Sequence, residues 1–109
     1  MKPLYTRLLL VDDHQIVTDS LSLLFSTIDC VEIVGCLNDS RLVQGVLAEQ
    51  PVDIVICDLN MPHINGIELT IQLKKTHPSV KVLLLTMVED SHTLFDALKA
   101  GVQGYVLKR

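Results

Sequence analysis

The sequence lacks several patterns that would assign a function directly. It has no Gly-x-x-x-x-Gly-Lys or Gly-x-Gly-x-x-Gly segment, which argues against a phosphate-cradling nucleotide loop. Its three cysteines form no Cys-x-x-Cys pair and are odd in number, so we expect reduced thiols. No apolar run approaches the roughly 18 residues of a membrane span, and the start MKPLYTR lacks the long apolar stretch of a signal peptide. We therefore expect a cytoplasmic domain without a membrane partner.

Basic residues are also scarce. Nine Lys and Arg stand against 13 Asp and Glu, which gives a net charge of −4. Binding to nucleic acid rests largely on basic side chains that neutralise phosphates, so we expect DNA to be bound only through a domain outside this chain. With 109 residues, 49% of them apolar, the chain is predicted to form one domain around one core.

Five short runs rich in Val, Ile and Leu alternate with segments of helical length. The predicted strands cover residues 7–11, 31–36, 52–57, 80–85 and 104–107. Three of them are apolar at nearly every position, which is typical of parallel strands covered on both faces. The second run is more mixed and suits an edge. These patterns predict an open, doubly wound α/β sheet with the strand order 2-1-3-4-5.

The segments between the strands carry helix signals. Asn65 and Glu68 are spaced like a capping box, Ser91 can cap the fourth helix and Gly101 can end it. The second helix is expected to stop before Pro51. The predicted core-facing stripes are Leu21, Leu24 and Ile28 in the first helix and Leu42, Val46 and Leu47 in the second.

Polar residues follow four of the predicted strands, at the edge where such sheets bind ligands. These residues are Asp12, Asp13, Asp58, Thr86 and Lys108. Three crowded carboxylates repel one another unless a cation lies among them or protons are taken up, and oxygen ligands suit Mg²⁺. A carboxylate can also attack phosphorus, while a metal, an ammonium and a hydroxyl stabilise charge. Each residue alone also fits a helix cap, a turn or a solvated charge, and we interpret Asp53 as solvated.

Four stretches together resemble the receiver family of bacterial two-component response regulators. They are VDDH after the first strand, ICDLNMPHINGIEL around the third, LLLTM after the fourth and GVQGYVLK around the fifth. The likeness covers nearly the whole chain, and DLNMP followed by Gly66 is its most specific part. HQIV, TM and GYVLK are most similar to the subfamily that joins a receiver to a helix-turn-helix domain of the NarL/LuxR kind.

The resemblance implies a flavodoxin-like sheet and a signalling switch rather than an enzyme. A sensor histidine kinase would phosphorylate Asp58, and the domain would assist only its own phosphorylation and dephosphorylation. Asp13 and Asp58 would ligate Mg²⁺ directly, Asp12 mainly through water, and Asn60 through its backbone carbonyl. The switch surface is expected on the fourth helix and fifth strand.

Three further roles follow from the same resemblance. Lys108 and Thr86 would contact phosphoryl oxygens, and Tyr105 would be the switch aromatic, although a half-buried strand aromatic fits Tyr105 equally well. Two positions depart from the family pattern. Arg109 stands where many receivers have Pro, so Lys108 is expected to be held less rigidly, and Met87 replaces a small residue, so it is expected to restrict entry to the site.

Two histidines, His14 and His63, follow the acidic residues closely in the sequence. A carboxylate-rich site selects hard cations, so neither His14 nor His63 is predicted to bind metal, and His14 is expected to help start the first helix.

The resemblance also implies a fifth helix, which this chain lacks, and a C-terminal helix-turn-helix domain that binds DNA. Since the missing helix would cover apolar side chains of strands 1 and 5, we expect a fragment of a longer regulator that self-associates as a homodimer. Two other functions are alternatives. One is a receiver-like interaction module that works without phosphorylation, and the other is a phosphatase of the haloacid dehalogenase type, whose Asp-x-Asp motif is absent here.

Overall fold

The computed structural model describes residues 5–87 and 90–107, and within these ranges five strands and four helices alternate. The strands are β1 (Thr6–Val11), β2 (Val31–Leu37), β3 (Ile54–Asp58), β4 (Lys81–Thr86) and β5 (Gly104–Leu107). The helices are α1 (Gln15–Phe25), α2 (Val43–Glu49, after a 3₁₀ turn at Ser40–Leu42), α3 (Gly66–Thr76) and α4 (Ser91–Ala100). All neighbouring strands are parallel in the order β2-β1-β3-β4-β5, which confirms the predicted fold. No helix in these ranges is long and apolar enough to cross a lipid bilayer.

The central strands are buried because their apolar side chains face helices on both sides. In β1, Leu9 and Val11 join one core while Leu8 and Leu10 join the other. The edge strand β2 is only partly buried, and its register against β1 shifts between Leu8 and Leu9. The mixed composition of the second run therefore predicted its edge position correctly.

The two faces of the sheet are covered unequally. The larger core includes side chains from α2, α3 and α4. Among the described helices, α1 covers the smaller core, through Leu21 and Phe25. On the α1 side, Leu83 and Leu85 of β4 are only partly buried, and Val106 of β5 is 50% exposed. We call this open region, formed by Leu83, Leu85 and Val106, the β4–β5 apolar face. It lies on strands 4 and 5 and not on strands 1 and 5 as expected, because Leu8 and Leu10 of β1 are already buried.

The predicted stripes of the first two helices were partly wrong. Helix α1 ends at Phe25, so Ile28 lies beyond it, and Phe25 packs on the core while Leu24 is exposed. The stripe was placed too far along the chain because several apolar residues crowd the end of this segment. In the second segment, Leu42 lies in the 3₁₀ turn and is exposed, and Val43 is buried in its place.

The cap predictions were right at three ends and wrong at one. The Glu68 amide donates to Asn65 Oδ1 (2.8 Å) and the Asn65 amide to Glu68 Oε1 (2.9 Å), which completes the capping box. Gly101 ends α4 in the left-handed region (φ 105°), and Gln50 ends α2 before the proline. Helix α4, however, is capped by Asp90 and not by Ser91.

Gly66 allows α3 to start directly against the end of β3. A Cβ atom added there would lie 2.6 Å from Leu84 Cδ2 and 2.8 Å from the Asp58 carbonyl oxygen. The second contact is with backbone, so relief would require a shift of the residue that ends β3.

We predict that Gly66→Ala lowers the free energy of unfolding by about 1–3 kcal/mol, because it overpacks this junction. Gly45→Ala in α2 is the matched control, since nothing lies within 4 Å of its added Cβ. That change should raise stability by roughly 0.5–1 kcal/mol through its helix propensity. Urea unfolding followed by circular dichroism measures both changes, and equal effects of the two would contradict the packing argument.

Candidate functional site

The two buried aspartates lie side by side because β1 and β3 are neighbours. Val11 pairs with Cys57 in the parallel register, so the next residues, Asp12 and Asp58, lie at the same level of the sheet. Both are almost fully buried, at 2% and 4% exposure. The predicted juxtaposition of these two side chains is therefore present in the structure.

The acidic cluster consists of Asp12, Asp13, His14 and Asp58. One ligand atom from each of these residues lies within 4.8 Å of all the others. In an octahedral Mg²⁺ site with bonds of about 2.0–2.1 Å, neighbouring ligands lie roughly 2.9 Å apart and opposite ones about 4.1 Å apart. Three carboxylates at this spacing are a donor set that fits Mg²⁺, because a divalent cation would offset their mutual repulsion.

His14 directly precedes α1, as expected, but its side chain does not cap the helix. Its backbone amide donates to Asp12 Oδ1 (2.9 Å), and its ring Nδ1 lies 2.9 Å from the same oxygen. The ring nitrogen is also 3.2 Å from Asp13 Oδ1 and 3.7 Å from Asp58 Oδ2. Sequence reasoning placed His14 outside the site, although its position next to two aspartates was the available signal.

The loop after Asp58 is tied to the strands by backbone hydrogen bonds. The Leu59 amide donates to the Leu85 carbonyl (2.8 Å), and the Gly66 amide donates to the Leu59 carbonyl (2.9 Å). The Asn60 amide points to Asp58 Oδ1 at 3.4 Å. These bonds hold the loop beside the acidic cluster, while the role of the Asn60 carbonyl as a metal ligand stays a prediction. His63 is exposed and is not part of the cluster.

Thr86 ends β4 and is fully buried. The residue before it, Leu85, pairs with Asp58, and Thr86 itself pairs with Leu107 of β5. Thr86 therefore lies between the strand that carries Asp58 and the edge strand β5. Met87, which follows, is 71% exposed, so its side chain is available at the surface beside this end of the sheet.

Tyr105 packs against the larger core from β5 and is half-buried. It lines a cavity of about 370 Å³ together with Leu107 and residues at the start of α4. Lys108 and Arg109 lie outside the described residues, so the predicted contact of Lys108 stays a prediction. Of the residues expected at the site, the structure brings together the three aspartates and places Thr86 on the neighbouring strand.

Cys57 lies directly before the phosphoacceptor candidate and is fully buried. Burial, together with the smaller effect of the negative charges of Asp58 and Asp12, raises the pKa of its thiol to about 12. A raised pKa keeps the thiol protonated at neutral pH, so Cys57 adds no charge to the acidic cluster and cannot act as a thiolate nucleophile.

Comparison with known proteins agrees with the fold. The response regulator receiver domain family matches residues 8–109, so the chain belongs to this family. Response regulators are signalling proteins rather than enzymes in the ordinary sense.

Two relatives and one group of structures show the extent of the likeness. The chain is 36% identical to the response regulator protein VraR of Staphylococcus aureus over 102 residues, which is 94% of this chain and 49% of VraR. It is 34% identical to the transcriptional regulatory protein YdfI of Bacillus subtilis, covering 94% of this chain and 47% of YdfI. The chain thus spans about half the length of the curated relatives it matches.

Among solved structures, the isolated receiver domain of RcsB from Salmonella enterica, determined with the phosphomimetic BeF₃⁻, superposes with a TM-score of 0.89. Its sequence is 30% identical, and the match covers 95% of this chain and 78% of that one. RcsB has also been solved in complex with DNA and as dimers bound to DNA. These relatives are response regulators of the NarL/LuxR type, as the sequence predicted.

We predict that Mg²⁺ raises the melting temperature, because we expect it to bind the acidic cluster of the folded chain and not the unfolded chain. At 100 times its Kd, such a ligand stabilises the fold by about 2.7 kcal/mol. Asp13→Ala should abolish the shift, whereas Asp29→Ala, which removes an exposed carboxylate before β2, should keep it. Differential scanning fluorimetry with and without Mg²⁺ measures the shift, and an undiminished shift in Asp13→Ala would remove Asp13 from the ligand set.

Proposed function

We propose that this chain is a phosphorylation switch that accepts a phosphoryl group on Asp58 from a sensor histidine kinase. The observation that carries this proposal is the position of Asp58 at the end of β3, within 4.8 Å of the carboxylates of Asp12 and Asp13. A nucleophilic carboxylate beside a cation site has the two parts that phosphoryl transfer requires.

In the proposed transfer, a carboxylate oxygen of Asp58 attacks phosphorus of the kinase phosphohistidine. The new bond joins Asp58 to phosphorus, and the phosphorus–nitrogen bond breaks with its electron pair returning to the kinase imidazole. Asp12, Asp13, Asp58 and the Asn60 carbonyl would hold Mg²⁺, which when bound neutralises charge on the transferred group. The burial of Asp12 and Asp58 favours this role, because water screens their charges little.

The proposed readout runs from Asp58 to α4 and β5. The Thr86 hydroxyl and the Lys108 ammonium would each contact a phosphoryl oxygen, which also assists transfer and hydrolysis within the domain itself. Thr86 ends the strand next to β5, and the cavity between Tyr105 and α4 leaves space for a ring to change position. We therefore assign the switch role to Thr86 and Tyr105 within this proposal.

We predict that Asp58→Asn abolishes labelling by acetyl phosphate in the presence of Mg²⁺, because the amide keeps the shape and removes the nucleophilic oxygen. Intact-protein mass spectrometry measures the label. Asp53→Asn, at an exposed carboxylate just before the same strand, is the matched control and should label normally.

The outcomes separate the competing functions. Labelling that survives in Asp58→Asn would show that the acceptor lies elsewhere. An unlabelled native chain would favour an interaction module that works without phosphorylation, and turnover of external phosphoesters would favour a phosphatase.

We further propose that the complete protein continues with a fifth helix and a helix-turn-helix domain, and that it controls transcription. The support comes from relatives about twice as long, one of them a transcriptional regulatory protein, and from RcsB structures that contain DNA. DNA would be bound through that further domain, in keeping with the net charge of −4 here.

We predict that this 109-residue chain forms a homodimer through the β4–β5 apolar face. At about 25 cal/mol per Å², burying a few hundred Å² of apolar surface there would contribute several kcal/mol. Val106→Lys should therefore shift the chain towards monomer, while Ile71→Lys, at a half-exposed site on α3, should not. Light scattering across a dilution series measures the mass, and a native chain that stays monomeric throughout would contradict this prediction.

A further inference from the structure

We infer that the His14 ring is a nitrogen ligand of the cation site, and that it shifts the preference of the site from Mg²⁺ towards first-row transition cations such as Mn²⁺ and Ni²⁺. This inference rests on the proposed function, since it takes the acidic cluster to be a cation site. The three aspartates supply only oxygen ligands, and His14 would add a nitrogen ligand.

The first argument is distance. His14 Nδ1 lies 2.9, 3.2 and 3.7 Å from one oxygen each of Asp12, Asp13 and Asp58. The two shorter distances approach the separation of about 2.9 Å between neighbouring ligands around an octahedral cation with bonds of 2.0–2.1 Å. The nitrogen therefore occupies the place of a further ligand on the acidic cluster.

The second argument is that the backbone directs the ring to this place. His14 has an extended conformation before α1 (φ −96°, ψ 103°), and its own amide is bonded to Asp12 Oδ1. The ring therefore starts from a backbone fixed beside the acidic cluster. Its side chain is 60% exposed, so the nitrogen on the solvent side can carry the proton while Nδ1 faces the carboxylates.

A distance of 2.9 Å is also an ordinary hydrogen bond, in which protonated Nδ1 donates to Asp12. Moving that proton to Nε2 frees the Nδ1 lone pair without changing the charge of the ring. The neutral ring can thus serve as a hydrogen-bond donor without a cation and as a ligand with one.

The third argument is ligand chemistry. Mg²⁺ prefers oxygen ligands, whereas imidazole nitrogen suits transition metals, whose affinities rise from Mn²⁺ to Ni²⁺. Any such site binds Ni²⁺ more tightly than Mn²⁺, so absolute affinity does not test His14. The informative quantity is the ratio of Ni²⁺ to Mg²⁺ affinity, compared between the native chain and a variant that has oxygen in place of nitrogen.

The test uses His14→Asn, which places an amide oxygen near the position of Nδ1, at a position before α1 where Asn is well tolerated. Titration calorimetry with NiCl₂ and with MgCl₂ gives both affinities for each chain. The Ni²⁺ to Mg²⁺ ratio should fall by about tenfold or more, the usual scale for the loss of a group that supports a metal site. His77→Asn, at the end of α3, is the matched control and should leave the ratio unchanged.

A spectroscopic measurement makes the same test independent of affinity. Pulsed electron paramagnetic resonance of bound Mn²⁺ should show coupling to an imidazole nitrogen in the native chain and in His77→Asn, and this coupling should be absent in His14→Asn. An unchanged affinity ratio together with no nitrogen coupling in the native chain would overturn the inference. Tighter binding of both cations to His14→Ala would also overturn it, since that result would make the ring an obstruction.

Failure of this inference differs from failure of the proposed function. If the native chain binds Mg²⁺ and is labelled on Asp58 by acetyl phosphate, the proposed function stands even when His14 proves not to be a ligand. If the native chain binds neither cation, both are overturned.

Discussion

Repulsion among carboxylates at one edge of a buried sheet is the constraint on which the site depends. Asp12 and Asp58 are almost fully buried at the ends of the two central strands, where water cannot screen their charges. Buried charges that repel one another stay close together only when the surrounding structure is rigid. Here the rigid structure is the core that packs on both faces of β1 and β3. The stability of the core is thus what keeps these repelling charges together for the proposed binding of a cation and a phosphoryl group.

Much of this arrangement could be predicted from the sequence, because in a parallel sheet the order of the strands determines which residues meet at the carboxyl edge. Once β1 and β3 are recognised as neighbours, the residues that follow them must meet at the carboxyl edge. The element ends were harder to predict, because they depend on single side chains. Asp90 and Ser91 are both good cap residues, and the choice of Asp90 depends on backbone angles that composition does not reveal.

The position of the His14 ring could not be predicted by the same reasoning. Residue type argued for a helix start, and the backbone does turn into α1 at that point, but the extended conformation aims the ring back at Asp12. A side chain between a strand end and a helix start can point to the site or cap the helix. Its torsion angles determine which of the two it does. The fully buried Cys57 shows the opposite case, since an apolar run was sufficient to place it in the core.

The backbone hydrogen bonds next to Asp58 indicate which strands would respond to a change of charge on its side chain. The amide of Leu59 donates to the carbonyl of Leu85, so the residue after the proposed phosphoacceptor is bonded to the residue before Thr86. Thr86 in turn pairs with Leu107 on β5. A new charge on Asp58 would therefore act on β4 through one peptide unit and reach β5 through the next strand pairing. The opposite edge strand β2 is also two strands away, and the Asp12 amide donates to the Leu37 carbonyl of β2 (3.0 Å), but the peptide that follows Asp58 is itself bonded to β4. In the proposed switch, the bond between Leu59 and Leu85 thus favours a response towards β5 and α4.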